Sequence, residues 1–174
     1  RQIQRRGKGC LGYLVGSRET GDAAVVDVTR QIETFEVAAE EAGLTIPAAI
    51  DTQVHDDPIS GTPRLAERKG VPYYLGAKAT ERGVEYDFEP VENGDVIEVG
   101  AVGLSAFHAP GHTTEMVNYL VGEEDLLTGD TLFVESVGRT ELQFGEADAA
   151  RGAEMLYDTL HEVILAQSDD RRVL

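Results

Sequence analysis

The chain has 174 residues, enough for one domain with a substantial core, and 41% of them are hydrophobic, an ordinary share for a globular protein. It carries 32 acidic against 15 basic residues, a formal net charge of -17, which argues against nucleic acid as a partner. No apolar run approaches the roughly 18 residues of a membrane span, and a lone cysteine, Cys10, permits no internal disulfide.

The basic residues include only Lys8, Lys69 and Lys78 as lysines. An acidic, lysine-poor surface keeps a chain soluble where salt screens its self-repulsion, so a salt-rich cytoplasm is the expected setting. The basic start from Arg1 to Lys8 lacks the apolar centre of a secretory signal. The missing initial methionine suggests a trimmed, processed or incomplete beginning. Cys10 opens the run Cys10-Leu11-Gly12-Tyr13-Leu14-Val15 and reads as a small buried hydrophobe, since no nearby histidine would stabilise a thiolate.

In chain order, Leu11 to Val15 and Ala23 to Val28 flank a turn-rich segment and form a hairpin, with Asp27 near the end of its second strand. From Arg30 to Ala42, Ile32, Phe35, Ala38, Ala39 and Ala42 fall on one helical face, and Gly43 follows the C-cap. Ala48 to Ile50 is a strand that feeds the loop Asp51 to Gly61. Thr62 to Lys69 is a short helix with Pro63 in its first turn, and Val71 to Leu75 another strand.

Phe88–Val91 and Val96–Val99 read as antiparallel strands about a turn at Glu92-Asn93-Gly94-Asp95, and Val102 to Phe107 runs into His108-Ala109-Pro110-Gly111-His112. Asn118 to Val121 and Leu126 to Thr128 form a further hairpin that ends at Gly129-Asp130. A helix over 148–167 carries Met155, Leu156, Thr159, Leu160, Val163 and Ile164 as an apolar stripe, and the last residues lead into one more strand. Tyr119 and Tyr157 are expected to be core aromatics with satisfied hydroxyls. Two groups of strands, each followed by helices, predict an α/β fold of two packed sheets with helices outside, a single domain over residues 1–174.

Three loops then carry candidate chemistry. His55 and Asp57 stand two apart after the Ala48 strand, His112 follows the turn at Pro110-Gly111, and Asp130 follows a strand behind Gly129. His108 cannot pair with His112 as a helical His-x3-His site, because Pro110 breaks the helix, and it is expected to be structural. His161 belongs to the amphipathic helix.

The order Thr52-x-x-His55-x-Asp57-x-x-Ser60-Gly61, then Ala109-Pro110-Gly111-His112-Thr113, then Leu127-Thr128-Gly129-Asp130-Thr131-Leu132-Phe133 resembles the metallo-β-lactamase superfamily, whose first motif is His-x-His-x-Asp-His. Val137 to Gln143 and Leu156 to His161 look most like its persulfide dioxygenase branch, close kin of glyoxalase II. The resemblance implies an αββα sandwich of mixed and mostly antiparallel sheets, its metal site at the strand ends, and a chain that stops short of the family's C-terminal end. It implies a first metal at positions 53, 55, 112 and 130 in hydrolases, a second at 57, 58, 130 and a later histidine, and one iron at 53, 112 and 130 in dioxygenases. Arg139 would bind the carboxylate of a small thiol.

The chain departs from that pattern at Gln53, a neutral amide, and at Pro58, which has no side-chain donor, and nothing stands for the family's later histidine, since His161 lies on the amphipathic helix. His55, His112 and Asp130, with Gln53 and Asp57 as further candidates, predict one iron or zinc ion. Iron would favour oxidation of a small-thiol persulfide. Zinc would favour thioester hydrolysis, with Asp57 as base. The alternative is a metal-poor relative that keeps the sandwich for binding or structure. A homodimer fits any of these readings.

Overall fold

The computed structural model describes residues 1–4, 11–55 and 59–174. Cys10, Asp57 and Pro58 therefore lie outside the described residues. The first sheet comprises β1 (Gln2–Gln4), β2 (Leu11–Ser17), β3 (Asp22–Val26), β4 (Thr45–Ile50), β5 (Tyr73–Gly76) and β6 (Glu89–Val91), side by side in that order. β1 to β3 are antiparallel and β3 to β6 parallel. The second sheet runs β13 (Arg172–Val173), β10 (Asp125–Leu127), β9 (Val117–Val121), β8 (Val102–His108) and β7 (Val96–Val99), and is antiparallel except for β13 beside β10.

Alternation along each strand makes the layers. In β3, Ala23 and Val25 face α1 (Ile32–Ala42) and α2 (Thr62–Lys69), where they meet Ile32, Phe35 and Leu65. Ala24 and Val26 face the other way, into a core between the sheets with Ile50, Val99, Leu104, Tyr119 and Leu127. Beyond the second sheet, Leu120 and Leu126 pack on Ile164, Leu160 and Val163, which follow α3 (Glu141–Thr159). The order of layers is helix, sheet, sheet, helix, as the sequence predicts.

The helix stops are legible: Gly43 and Gly70 both sit in the left-handed region and return N–H bonds to the last turn. Four expectations change. β6 and β7 do not pair across Glu92 to Asp95; β6 joins β5, and the turn carries the chain to the second sheet. Local alternation cannot distinguish a hairpin from such a crossover.

The last helix begins earlier than predicted, at Glu141, with a break at Gly145 (φ 70°, ψ 170°), and ends in a widened turn over Leu160–Ile164. Tyr157 is exposed and stacks on His161 at 4.0 Å instead of joining the core. Tyr119 is fully buried as expected, but its hydroxyl has no partner. The two-residue strands β11 (Leu132–Phe133) and β12 (Ser136–Val137) were not foreseen. Among the described residues, no helix is long and apolar enough to cross a membrane.

Leu104 is fully buried between the sheets. Leu104→Ala is expected to lower unfolding free energy by about 2–5 kcal/mol, whereas Val134→Ser, at a 93% exposed position, stays within about 0.5 kcal/mol, both read from urea denaturation.

Candidate metal centre

One edge of the sandwich collects the chemistry. In the first sheet Val26 pairs with Ile50, so the next residues, Asp27 and Asp51, emerge side by side at the carboxyl ends of parallel strands. In the second sheet His108 pairs with Val117 and Leu127 with Tyr119, which brings the end of β8, the start of β9 and the end of β10 to one place. The Val117 N–H donates to the Thr52 carbonyl at 2.8 Å and ties the two sheet edges together.

Asp27 is the residue that sequence reasoning passed over. It is a non-glycine residue at φ 51°, nearly buried, and its carboxylate accepts the Thr52 N–H at 2.8 Å and the Thr52 hydroxyl at 3.0 and 3.1 Å. The available signal was a repeated pattern, an apolar strand that ends in aspartate, shared by Asp27, Asp51 and Asp130. Asp51 is buried and accepts hydrogen bonds from the Thr62 and Tyr73 hydroxyls. Burial pushes its carboxyl up to about 6, against the pull of His55.

His55 turns toward these two carboxylates, with Nε2 3.3 Å from Asp27 and 3.9 Å from Asp51. Burial opposes its charged form, but the hydrogen bond to Asp27 and the charges of Asp27, Asp51 and Asp130 outweigh that and raise its pKa to about 9. The ligand atoms of Asp27, Asp51 and His55 all lie within 4.8 Å of one another, a set that could hold a cation. A shared proton accounts equally for the Asp27 contact.

Gln53, His112 and Asp130 meet on the other side of the loop. The Gln53 amide Nε2 donates to Asp130 Oδ2 at 2.7 Å, and His112 Nε2 stands 3.4 Å from the same oxygen. His112 Nδ1 donates to the Arg139 carbonyl at 2.7 Å, so the neutral ring carries its lone pair on Nε2, facing Asp130. Two donors each about 2.0–2.2 Å from one tetrahedral cation stand roughly 3.3–3.6 Å apart; His112 and Asp130 have that separation, whereas Gln53 and Asp130, at 2.7 Å, make a direct hydrogen bond. Gln53 Oε1 is buried without a partner, and turning the amide over would present it as a third donor. His112 and Asp130 could therefore share one metal ion, and the Gln53 amide would join them only if turned over.

Two glycines allow this convergence. Gly129 (φ 48°) passes so close to Thr52 that a Cβ would lie 2.6 Å from its hydroxyl, and a Cβ on Gly138 would lie 1.9 Å from the Asp130 carbonyl and 2.9 Å from His112 Cβ. The Arg139 guanidinium is mostly exposed and 3.7 Å from Glu141. His108 is structural as expected, its Nε2 donating to the Thr114 carbonyl at 2.8 Å.

A model of the metallo-beta-lactamase superfamily matches residues 5–174. The bovine mitochondrial persulfide dioxygenase ETHE1 is 33% identical over 156 residues, 87% of this chain, and the chain spans 57% of that relative's length. A hydroxyacylglutathione hydrolase of Methylobacterium sp. is 31% identical over 74% of this chain and 50% of its own. Among solved structures, ETHE1 from Myxococcus xanthus superposes with TM-score 0.86 at 30% identity, covering 99% of this chain and 72% of that one. A metallo-beta-lactamase from Staphylococcus aureus does so with TM-score 0.91 at 26% identity, covering 99% and 54%.

Because the folded pKa of His55 lies above the ordinary 6.5, its contribution to stability is complete below that pH and is lost as pH rises through 9. Asp51 stays ionised from pH 7 to 9.5, so in metal-free protein the unfolding free energy is expected to fall by about 2 kcal/mol over that range through His55. In His55→Gln that component vanishes, as urea titrations at the two pH values would record.

Proposed function

This chain belongs to the metallo-β-lactamase superfamily, and we propose from that premise that it is a mononuclear metal-dependent enzyme acting on a small sulfur-containing substrate. Oxidation of a small-thiol persulfide is the first reading and thioester hydrolysis the second. The observation that carries the proposal is the meeting of Gln53, His112 and Asp130 around one carboxylate oxygen, with an orphaned amide oxygen beside it. The sulfur substrate is supported by the likeness to a persulfide dioxygenase and to a hydroxyacylglutathione hydrolase.

Gln53, His112 and Asp130 would hold the ion. Bound iron would supply redox chemistry, and bound zinc would supply Lewis acidity. The protein's part is orientation. The Arg139 carbonyl fixes the tautomer of His112, and Asp130, with a side chain 41% exposed, keeps the site open to solvent and substrate.

The Arg139 guanidinium, loosely paired with Glu141, exchanges that partner for the carboxylate of a thiol carrier at little cost, since exposed pairs are worth only about 0–1 kcal/mol. His55, held between Asp27 and Asp51, keeps a proton at the inner wall of the site. For hydrolysis the base would be Asp57, which lies outside the described residues.

The Gln53–Asp130 hydrogen bond also favours a third reading, a metal-poor relative in which the amide occupies the place of the ion. Elemental analysis of protein purified without chelator separates the readings. About one iron per chain supports the dioxygenase, about one zinc the hydrolase, and no metal overturns both. Gln53→His is expected to tighten Fe²⁺ binding roughly 10–100-fold, as titration calorimetry would record, because imidazole replaces a weak neutral amide. Unchanged affinity would count against the donor set.

A further inference from the structure

Glu115 lies outside both donor groups, yet its side chain is fully buried. It stands between the His112 loop and β9. Its Oε1 accepts the Val54 N–H at 3.0 Å and the Arg82 guanidinium at 3.1 Å, while Oε2 has no partner. Arg82 closes the short helix Ala77–Arg82 that follows β5. The turn into that helix passes so close that a Cβ on Gly76 would lie 2.1 Å from the Glu115 carbonyl. The Glu115 backbone thus lies against the end of β5, while its carboxylate reaches Val54 and Arg82.

Two residues further on, the Val117 N–H bonds the Thr52 carbonyl at 2.8 Å. Gln53 lies between these two anchors, with its preceding carbonyl held by Val117 and its following N–H held by Glu115. A buried carboxylate loses its hydration, and a leucine or methionine would fill the same space without that cost. What an apolar residue cannot do is accept the Val54 N–H. We propose that Glu115 is the positioning residue for position 53: its carboxylate, steadied by Arg82, fixes the Val54 N–H and thereby aims the Gln53 side chain at Asp130.

Any consequence for metal binding rests on the donor set proposed above, but the orientation of Gln53 does not. The test therefore uses metal-free protein and ¹H–¹⁵N NMR, with the Gln53 side-chain amide identified by its loss in Gln53→Glu. In Glu115→Ala the Gln53 amide protons are expected to move to the position of a solvent-exposed glutamine, and Val54 amide exchange to quicken about tenfold or more. Glu115→Gln, which keeps an acceptor oxygen, is expected to restore both signals. Leu126→Ala, which destabilises the outer face of the second sheet, should leave them in place.

Unchanged Gln53 signals in Glu115→Ala, or an equal shift in Leu126→Ala, would overturn the proposal. If Glu115→Ala does not fold, the native protein decides the matter: Val54 exchange as fast as in an unstructured peptide overturns it, and strong protection that Glu115→Gln retains supports it. Failure of the native protein to bind Fe²⁺ would defeat the functional reading alone, and these amide signals would still decide the role of Glu115.

Discussion

The site edge depends on one buried carboxylate, Asp27. It follows strand β3 in a left-handed backbone conformation that costs a non-glycine residue ~1–3 kcal/mol. That conformation turns the carboxylate across the neighbouring strand end, where it takes both the N–H and the hydroxyl of Thr52 and the ring of His55. Charge-assisted hydrogen bonds of this kind offset the strain. Because Asp27 grips Thr52, and Thr52 bonds Val117 through its carbonyl, the first sheet's loop is registered on the second sheet before any ligand arrives.

That arrangement explains what the sequence made legible and what it did not. Helix limits at Gly43 and Gly70, the hairpins β2–β3 and β9–β10, and the layering follow from turn chemistry and periodicity, which are local. The joining of β6 to the first sheet and β7 to the second is not local; it depends on which open strand edge each finds. The convergence of positions 53, 112 and 130 came from motif resemblance. The turn of His55 toward Asp27 and Asp51 did not come from it, because the matched motifs do not include Asp27.

Replacing an imidazole by an amide at position 53 changes the electrostatics more than the shape. A neutral imidazole can offer Asp130 only a lone pair or a single N–H, whereas a glutamine amide carries both a donor pair and an acceptor. In metal-free protein the Gln53 amide can therefore satisfy Asp130 directly at 2.7 Å, and it leaves its own oxygen buried and unpaired. A buried orphan acceptor of this kind costs about 1–3 kcal/mol. A cation in the site would relieve that cost if the amide turned over, so the substitution weakens the site's pull on a metal without abolishing the reason to bind one.

The inventory of buried charge leads to the same place. Asp27, Asp51 and Glu115 lie within a short stretch of the edge, and only His55 and Arg82 answer them in the pairs described. Burial raises the pKa of Asp51, and the neighbouring carboxylates let His55 hold its proton. Among the described residues that edge is rich in carboxylate, and the Asp130 side chain is its partly exposed member. An amide at position 53 thus puts a weaker donor at the rim of the proposed site, while the carboxylates of Asp27 and Asp51 remain where the strands place them.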